Sequence, residues 1–103
     1  MNIETIKKNI KKDFFDLSKH AEEERRKDFL TLNNLKDALF CGKIIESYPD
    51  DPRGPSCLVL GWSDESPVHL VCGQYESGKT MIITVYKPDP KKWDQNFEVR
   101  KKI

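Results

Sequence analysis

The sequence predicts an α+β fold: N-terminal helices packed on a twisted antiparallel sheet of about four strands. Two observations carry it. Residues 56–62, 68–72 and 81–86 are crowded with β-branched and aromatic side chains, and Gly, Pro, Asp and Ser fill the breaks between them. Before Lys43, apolar residues recur instead at helical spacing. At 103 residues the chain reads as a single domain, residues 1–103, long enough for one modest core.

Ile3, Ile6 and Ile10 make one face of a first helix, with Lys7, Lys8, Lys11 and Lys12 on its outer side. Phe14, Phe15 and Leu17 read as a short extended link. Ser18 is an N-cap candidate for a helix from Lys19 to about Asp28, because its hydroxyl can accept from a first-turn amide. Thr31 caps a third helix, with Leu32, Leu35, Ala38 and Leu39 as its buried stripe and Gly42 as a left-handed terminator. Lys43 to Tyr48 is the first strand, with Ile44 and Ile45 inside, and the three prolines of residues 49–55 exclude regular pairing. In residues 56–62, Leu58, Leu60 and Trp62 alternate with Cys57, Val59 and Gly61. Tyr75 to Lys79, with Gly78, turns into the last strand, which sets Ile82, Thr84 and Tyr86 against Met81, Ile83 and Val85. Trp93 and Phe97 then fold back over the sheet edge, and the final residues fray.

Composition narrows the function classes. Charged residues make up 34% and hydrophobic ones 37%, as in a folded globular domain. No apolar run reaches the roughly 18 residues of a membrane span, and no secretory signal opens the chain, so a cytoplasmic location without a membrane partner is expected. Cys41, Cys57 and Cys72 are odd in number, lack CxxC spacing and sit among apolar neighbours, which points to packing. The net charge of +1 argues against a diffuse polyanion binder, yet basic and acidic clusters are segregated enough for local phosphate contact. Two histidines without HxxxH-type spacing suggest no metal site, and no cofactor-binding loop is present, so no cofactor is expected.

The candidates for chemistry are few. His20 falls in the first turn of its helix, where the dipole disfavours the imidazolium, beside Lys19, Arg25 and Arg26. A neutral imidazole among cations suits a general base for an RNA 2′-hydroxyl; packing against the sheet is the alternative. His69 lies on either sheet face according to register, and a buried structural role is the stronger reading. Tyr86 and Thr84 share a face, with Lys87 and Arg100 as the nearby cations, and a phenol near cations can position a phosphate. Arg53 is a candidate phosphate contact in the proline-rich loop, or a solvent-facing residue.

The order SKHAEEERR, LKDALFCGKIIESYPDDPRGPSCLVLGW, PVHLVCG and IITVYKPDPKKW resembles a prokaryotic domain-of-unknown-function family. Its pattern is S-K-H-A, G-x-I-I-E-x-Y-P, P-S-x-L-x-L-G, H-x-V and I-T-V-Y-x-P-D with a following Trp. The likeness runs from the first helix to Trp93, departing at Asn34, where an acid is common, and at Arg53-Gly54, where an aromatic is usual. The family resembles RelE-like and MqsR-like toxins of the barnase–EndoU–colicin–RelE fold group. The resemblance implies an RNA endonuclease toxin paired with a small zinc-ribbon antitoxin. It carries over His20, Arg25, His69, Thr84 and Tyr86 as site residues, with His20, Arg25, His69 and Tyr86 expected to be catalytic and Thr84 to bind substrate, and Tyr48 as a structural pattern residue. Lys19, Arg26 and Arg53 are expected to bind substrate from their charge.

Two functions are therefore carried forward. One is metal-independent RNA cleavage, with His20 as acid or base, Arg25 on the phosphate, and Tyr86 or His69 assisting the leaving group. The other is a non-catalytic protein-interaction module of the same fold. Spatial convergence of His20, Arg25 and Tyr86 separates them.

Overall fold

Three helices, α1 (Ile3–Lys11), α2 (Lys19–Lys27) and α3 (Leu32–Phe40), cover one face of a mixed sheet in the computed structural model, which describes residues 1–102. The strands are β1 (Phe15–Leu17), β2 (Lys43–Tyr48), β3 (Ser56–Ser63), β4 (Ser66–Gln74) and β5 (Thr80–Tyr86), in the order β1-β5-β4-β3-β2. The expected antiparallel sheet of about four strands thus has five, because the supposed link at Phe15–Leu17 pairs in parallel with β5. Three residues are too few to show strand periodicity, and their partners Thr80 to Ile82 are remote in sequence.

The helix starts follow the capping chemistry. Ser18 Oγ accepts from Ala21 N at 3.0 Å, and Thr31 Oγ1 accepts from Asn34 N at 3.1 Å. Asn34 returns the bond through Oδ1 to Thr31 N at 2.8 Å, and its Nδ2 donates to Ser63 Oγ at 2.9 Å. An amide can accept and donate at once, so Asn34 completes a capping box and ties α3 to β3.

Ile6, Ile10, Ala21, Leu35, Ala38 and Leu39 meet Cys57, Val59, Val68, Leu70, Cys72, Ile82 and Val85 in the core. α3 lies so close that a Cβ on Gly61 would stand 1.7 Å from the Ala38 carbonyl oxygen. Gly42 serves a similar approach, since its Cβ would meet Val59 Cγ1 at 2.6 Å; the left-handed glycines are Gly54 and Gly78. Leu32, at the first position of α3, is exposed and leaves the expected stripe. Asn9 is buried and joins α1 to the β4–β5 hairpin, donating to Gly78 O at 2.8 Å and Thr80 Oγ1 at 3.0 Å.

Two bulges alter the expected alternation. β2 shifts register between Ile44 and Glu46, leaving Ile44 and Ile45 half-buried. Opposite β4, Val71 pairs with Thr84 and Cys72 with Ile82, so Ile83 is the extra residue. Ile82 and Val85 therefore enter the helix-side core, while Ile83, Thr84 and Tyr86 belong to the second face.

That second face is partly covered. Trp93 is buried over it rather than at the sheet edge, and the tail is held as far as Lys101 where fraying was expected, with Arg100 bridged to Trp93 and paired with Glu46. Ile103, the last residue of that expectation, lies outside the described residues. Of the cysteines, Cys57 and Cys72 are buried, whereas Cys41 is exposed and its Sγ accepts from Trp62 N at 3.2 Å. Among the described residues, no helix is long and apolar enough to cross a membrane.

Candidate functional site

Polar residues gather at the two ends of the second sheet face, while Lys19, His20, Arg25 and Arg26 lie on α2. At one end, β4 and β5 pair His69 with Tyr86, and β3 places Leu60 on the other side of His69. The His69 ring has no exposed surface. Its Nε2 stands 2.8 Å from the Phe97 carbonyl oxygen, which can only accept, so the neutral ring carries its proton there. Nδ1 is then an acceptor, and the Tyr86 hydroxyl donates to it at 3.2 Å. The Tyr86 and Trp93 rings stand edge-on to the imidazole, with centroids at 5.2 and 4.4 Å.

Arg100 closes this end. Its guanidinium lies 4.7 Å from the Trp93 ring centroid, donating through Nε and Nη2 to Glu46 at 3.0 and 3.1 Å. The Tyr48 hydroxyl also donates to Glu46, and Lys43 pairs with Glu98 of the tail. Burial lowers the His69 pKa despite the Phe97 carbonyl and Glu46, and burial raises Tyr86. Burial opposes ionisation of Glu46, but hydrogen bonds from Arg100 and Tyr48 and the charge of Arg100 carry its pKa below the ordinary value. Tyr48 is pushed up to about 12, by burial first and then by its bond to Glu46. Both sets of shifts maintain a neutral phenol–imidazole pair beside an ionised Glu46–Arg100 pair.

The other end is open. A cleft of about 240 Å³ lies among Arg53, Gly73, Gln74, Tyr75, Met81 and Ile83, with Ser18 at its wall. Ser18 is committed, since its Oγ donates to Ile83 O at 2.8 Å while capping α2. Arg53 is largely exposed, contacting Asp51 through Nε and Nη2 at 3.3 Å each. Asp51 is fixed from behind by Ser56 Oγ at 3.0 Å, and its pKa falls to about 2 through the bonds from Arg53 and Ser56.

Of the candidates named from sequence, His69 and Tyr86 come into direct contact, and Thr84 flanks them opposite Val71. His20 is exposed on α2, with Nε2 3.7 Å from Glu24. Arg25 is bound to Glu22 at 2.5 Å and to Leu30 O at 3.1 Å, and Arg26 reaches the same Glu22 at 3.2 Å. Lys19 is exposed beside Ser18, near the cleft. The N-cap of α2 docks on Ile83 O and its C-cap, Asp28, accepts from Lys87 N at 2.9 Å, so the nine-residue helix lies along β5. Its length is about 13 Å. His20 and Tyr86 belong to opposite ends of it, and with Arg25 they form no hydrogen-bonded cluster.

Sequence reasoning missed Glu46 and Phe97 as neighbours of His69, whereas Arg100 does lie in the cluster with Tyr86, where it was expected as a nearby cation. Alternation in β2 puts Glu46 and Tyr48 on one side, which was the one available signal; the tail has no periodicity to read. Among the described residues, no group of three or more His, Cys, Asp or Glu side chains is placed to hold a metal ion.

Comparison with known proteins gives a family and no more. Residues 17–87 match the family described as Domain of unknown function (DUF4258), and the chain belongs to it. No curated protein and no solved structure gives a significant match.

Proposed function

We propose that the chain is a metal-independent RNA endonuclease of RelE-like fold, the toxin of a cytoplasmic toxin–antitoxin pair with a small zinc-ribbon protein as antitoxin. The hydrogen bond from the Tyr86 hydroxyl to the buried, neutral His69 carries this reading. The resemblance to RelE-like and MqsR-like toxins supplies the reaction class.

The substrate 2′-hydroxyl attacks the adjoining phosphorus, and the bond from phosphorus to the 5′-oxygen breaks. The 2′-hydroxyl proton passes to the Tyr86 oxygen as Tyr86 gives its own to Nδ1 of His69. The resulting imidazolium keeps its Nε2–H on Phe97 O and lies in the field of Glu46. Arg100 offers its remaining donors to the charged phosphate, and water protonates the departing 5′-oxygen. The hydroxide left takes a proton from Tyr86 as the Nδ1 proton of His69 returns to it, which restores both neutral side chains. The products are a 2′,3′-cyclic phosphate and a 5′-hydroxyl, so DNA is inert. Arg53 binds the strand at the open cleft, and Lys19 and His20, which follow Ser18 of its wall on the first turn of α2, are outer contacts. Thr84 stands two residues before Tyr86 on β5, and Arg25 and Arg26 brace α2 through Glu22.

Induced expression tests this in growing cells. Wild type arrests growth and fragments RNA, Tyr86→Phe does neither, and His20→Ala retains weakened cleavage. Normal growth and intact RNA with soluble, folded wild type would overturn the reading. A second reading, a protein-interaction module, is favoured by two observations: His20, Arg25 and Tyr86, whose convergence would mark the enzyme, form no cluster, and Phe29 is 89% exposed on a left-handed backbone (φ 57°), an unusual position for a large apolar side chain.

A further inference from the structure

We infer that the open cleft beside Arg53 is a subsite for one nucleotide of a single-stranded RNA, which deepens and rests on the cleavage reading above. The cleft holds about 240 Å³, room for the base of one nucleotide, and its open side leaves space for the sugar and phosphate. Its floor is made by two strands. Gly73 of β4 presents no side chain, and a Cβ there would meet Ile83 Cδ1 at 3.0 Å. Met81 and Ile83 of β5 are half-buried and supply apolar surface on either side. Tyr75 stands at the rim with its hydroxyl 3.6 Å from Met81 Sδ, so its ring borders the same space. A flat, aromatic, sequence-tolerant ligand face suits such a platform.

The polar groups complete a nucleotide rather than a plain aromatic ligand. Arg53 uses Nε and Nη2 on Asp51, and the rest of its five-donor guanidinium is open on a side chain 68% exposed. Asp51, with its pKa near 2, remains ionised at neutral pH and aims the guanidinium instead of releasing it. An anion of phosphate geometry fits that fork. Gln74 holds only a long 3.5 Å contact to Gly78 O, which leaves its amide able to donate to and accept from the edge of a base. Ser18 offers the ligand no donor, because its one hydroxyl proton is committed to Ile83 O. Ile83 is three residues from Tyr86 on β5, about 10 Å along the strand. A nucleotide bound here is thus on the same RNA strand as the phosphate at Tyr86.

Binding of a fluorescent 2′-O-methyl oligonucleotide, which lacks the attacking hydroxyl, tests the subsite without cleavage. Wild type binds it, Arg53→Ala weakens it about tenfold or more, and Met81→Glu, which puts a carboxylate on the floor, abolishes binding. Arg53→Lys recovers part of the affinity, and thermal unfolding of the Arg53 variants matches wild type. Equal affinity for wild type, Arg53→Ala and Met81→Glu would overturn the subsite while leaving cleavage at Tyr86 untouched. Retained, Arg53-dependent binding with no cleavage of ordinary RNA would sink the cleavage reading alone. Adenosine monophosphate and uridine monophosphate, added as competitors, separate the sources: a strand-borne nucleotide predicts weak competition, and tight binding of either free nucleotide would overturn the assignment to RNA.

Discussion

The two ends of the second sheet face share strands β4 and β5 and differ in what lies over them. At the His69 end, the tail lays Trp93 and Phe97 on the sheet, and His69, Glu46 and Tyr48 are all hydrogen-bonded. At the Arg53 end the same face carries Gly73, Met81 and Ile83 beneath an open cleft, and part of a guanidinium is free. The difference teaches that polar residue types alone do not mark a ligand site. The saturated cluster fixes the geometry of the Tyr86–His69 pair, and the donors that Arg100 and Arg53 leave unpaired are what can still bind a ligand at either end.

The largest effect should come from lifting the cover. Trp93 is 3% exposed and touches His69 on one side and Arg100 on the other. Trp93→Ala should cost about 3–5 kcal/mol, read as a fall of more than about 10 °C in Tm. A fall of only a few degrees would mean the tail is not part of the packed structure.

Tyr86→Phe comes next. It strips the donor from Nδ1 of His69 and leaves a buried acceptor unpaired, at a cost of about 1–3 kcal/mol by chemical denaturation. An unchanged midpoint would show that the hydroxyl does not hold the imidazole.

A pH effect follows from the lowered His69 pKa. Between that value and the ordinary 6.5, the unfolded chain binds a proton that the folded chain refuses. The contribution is therefore fully present above pH 6.5 and is lost as pH falls through the lowered value. Denaturation midpoints should decline over that interval, and His69→Gln should flatten the decline relative to wild type. Parallel pH profiles for both proteins would remove His69 as the cause.

The smallest stability effect belongs to the open end. Arg53 is exposed and makes only local bonds to Asp51, so Arg53→Ala should stay within about 0.5 kcal/mol of wild type. A larger loss would mean that the cleft end is also structural.

Helices α1 to α3 and strands β2 to β5 were legible because caps and periodicity are local. Ser18 and Thr31 announce their helices by one hydrogen bond each. The parallel strand β1 was not, since three residues carry no period and Thr80 lies far along the chain. Nor were the bulges, which break alternation through pairing and not through composition. The pairing of His69 with Tyr86 needed strand register, which a sequence does not contain. Arg100 and Glu46 meet across 54 residues of separation, joined by a tail without periodicity. Residue types and the family resemblance grouped His20, Arg25 and Tyr86, whereas α2 sets His20 and Tyr86 toward opposite ends of its length.

The most direct measurement is cleavage of a defined single-stranded RNA by purified protein in the presence of a chelator, with product ends identified and the all-deoxy strand alongside. The account predicts 2′,3′-cyclic phosphate and 5′-hydroxyl ends from RNA only, and a loss of about 10²–10⁴-fold in rate for folded Tyr86→Phe. Intact RNA with folded wild type, or Tyr86→Phe cleaving at the wild-type rate, would contradict it.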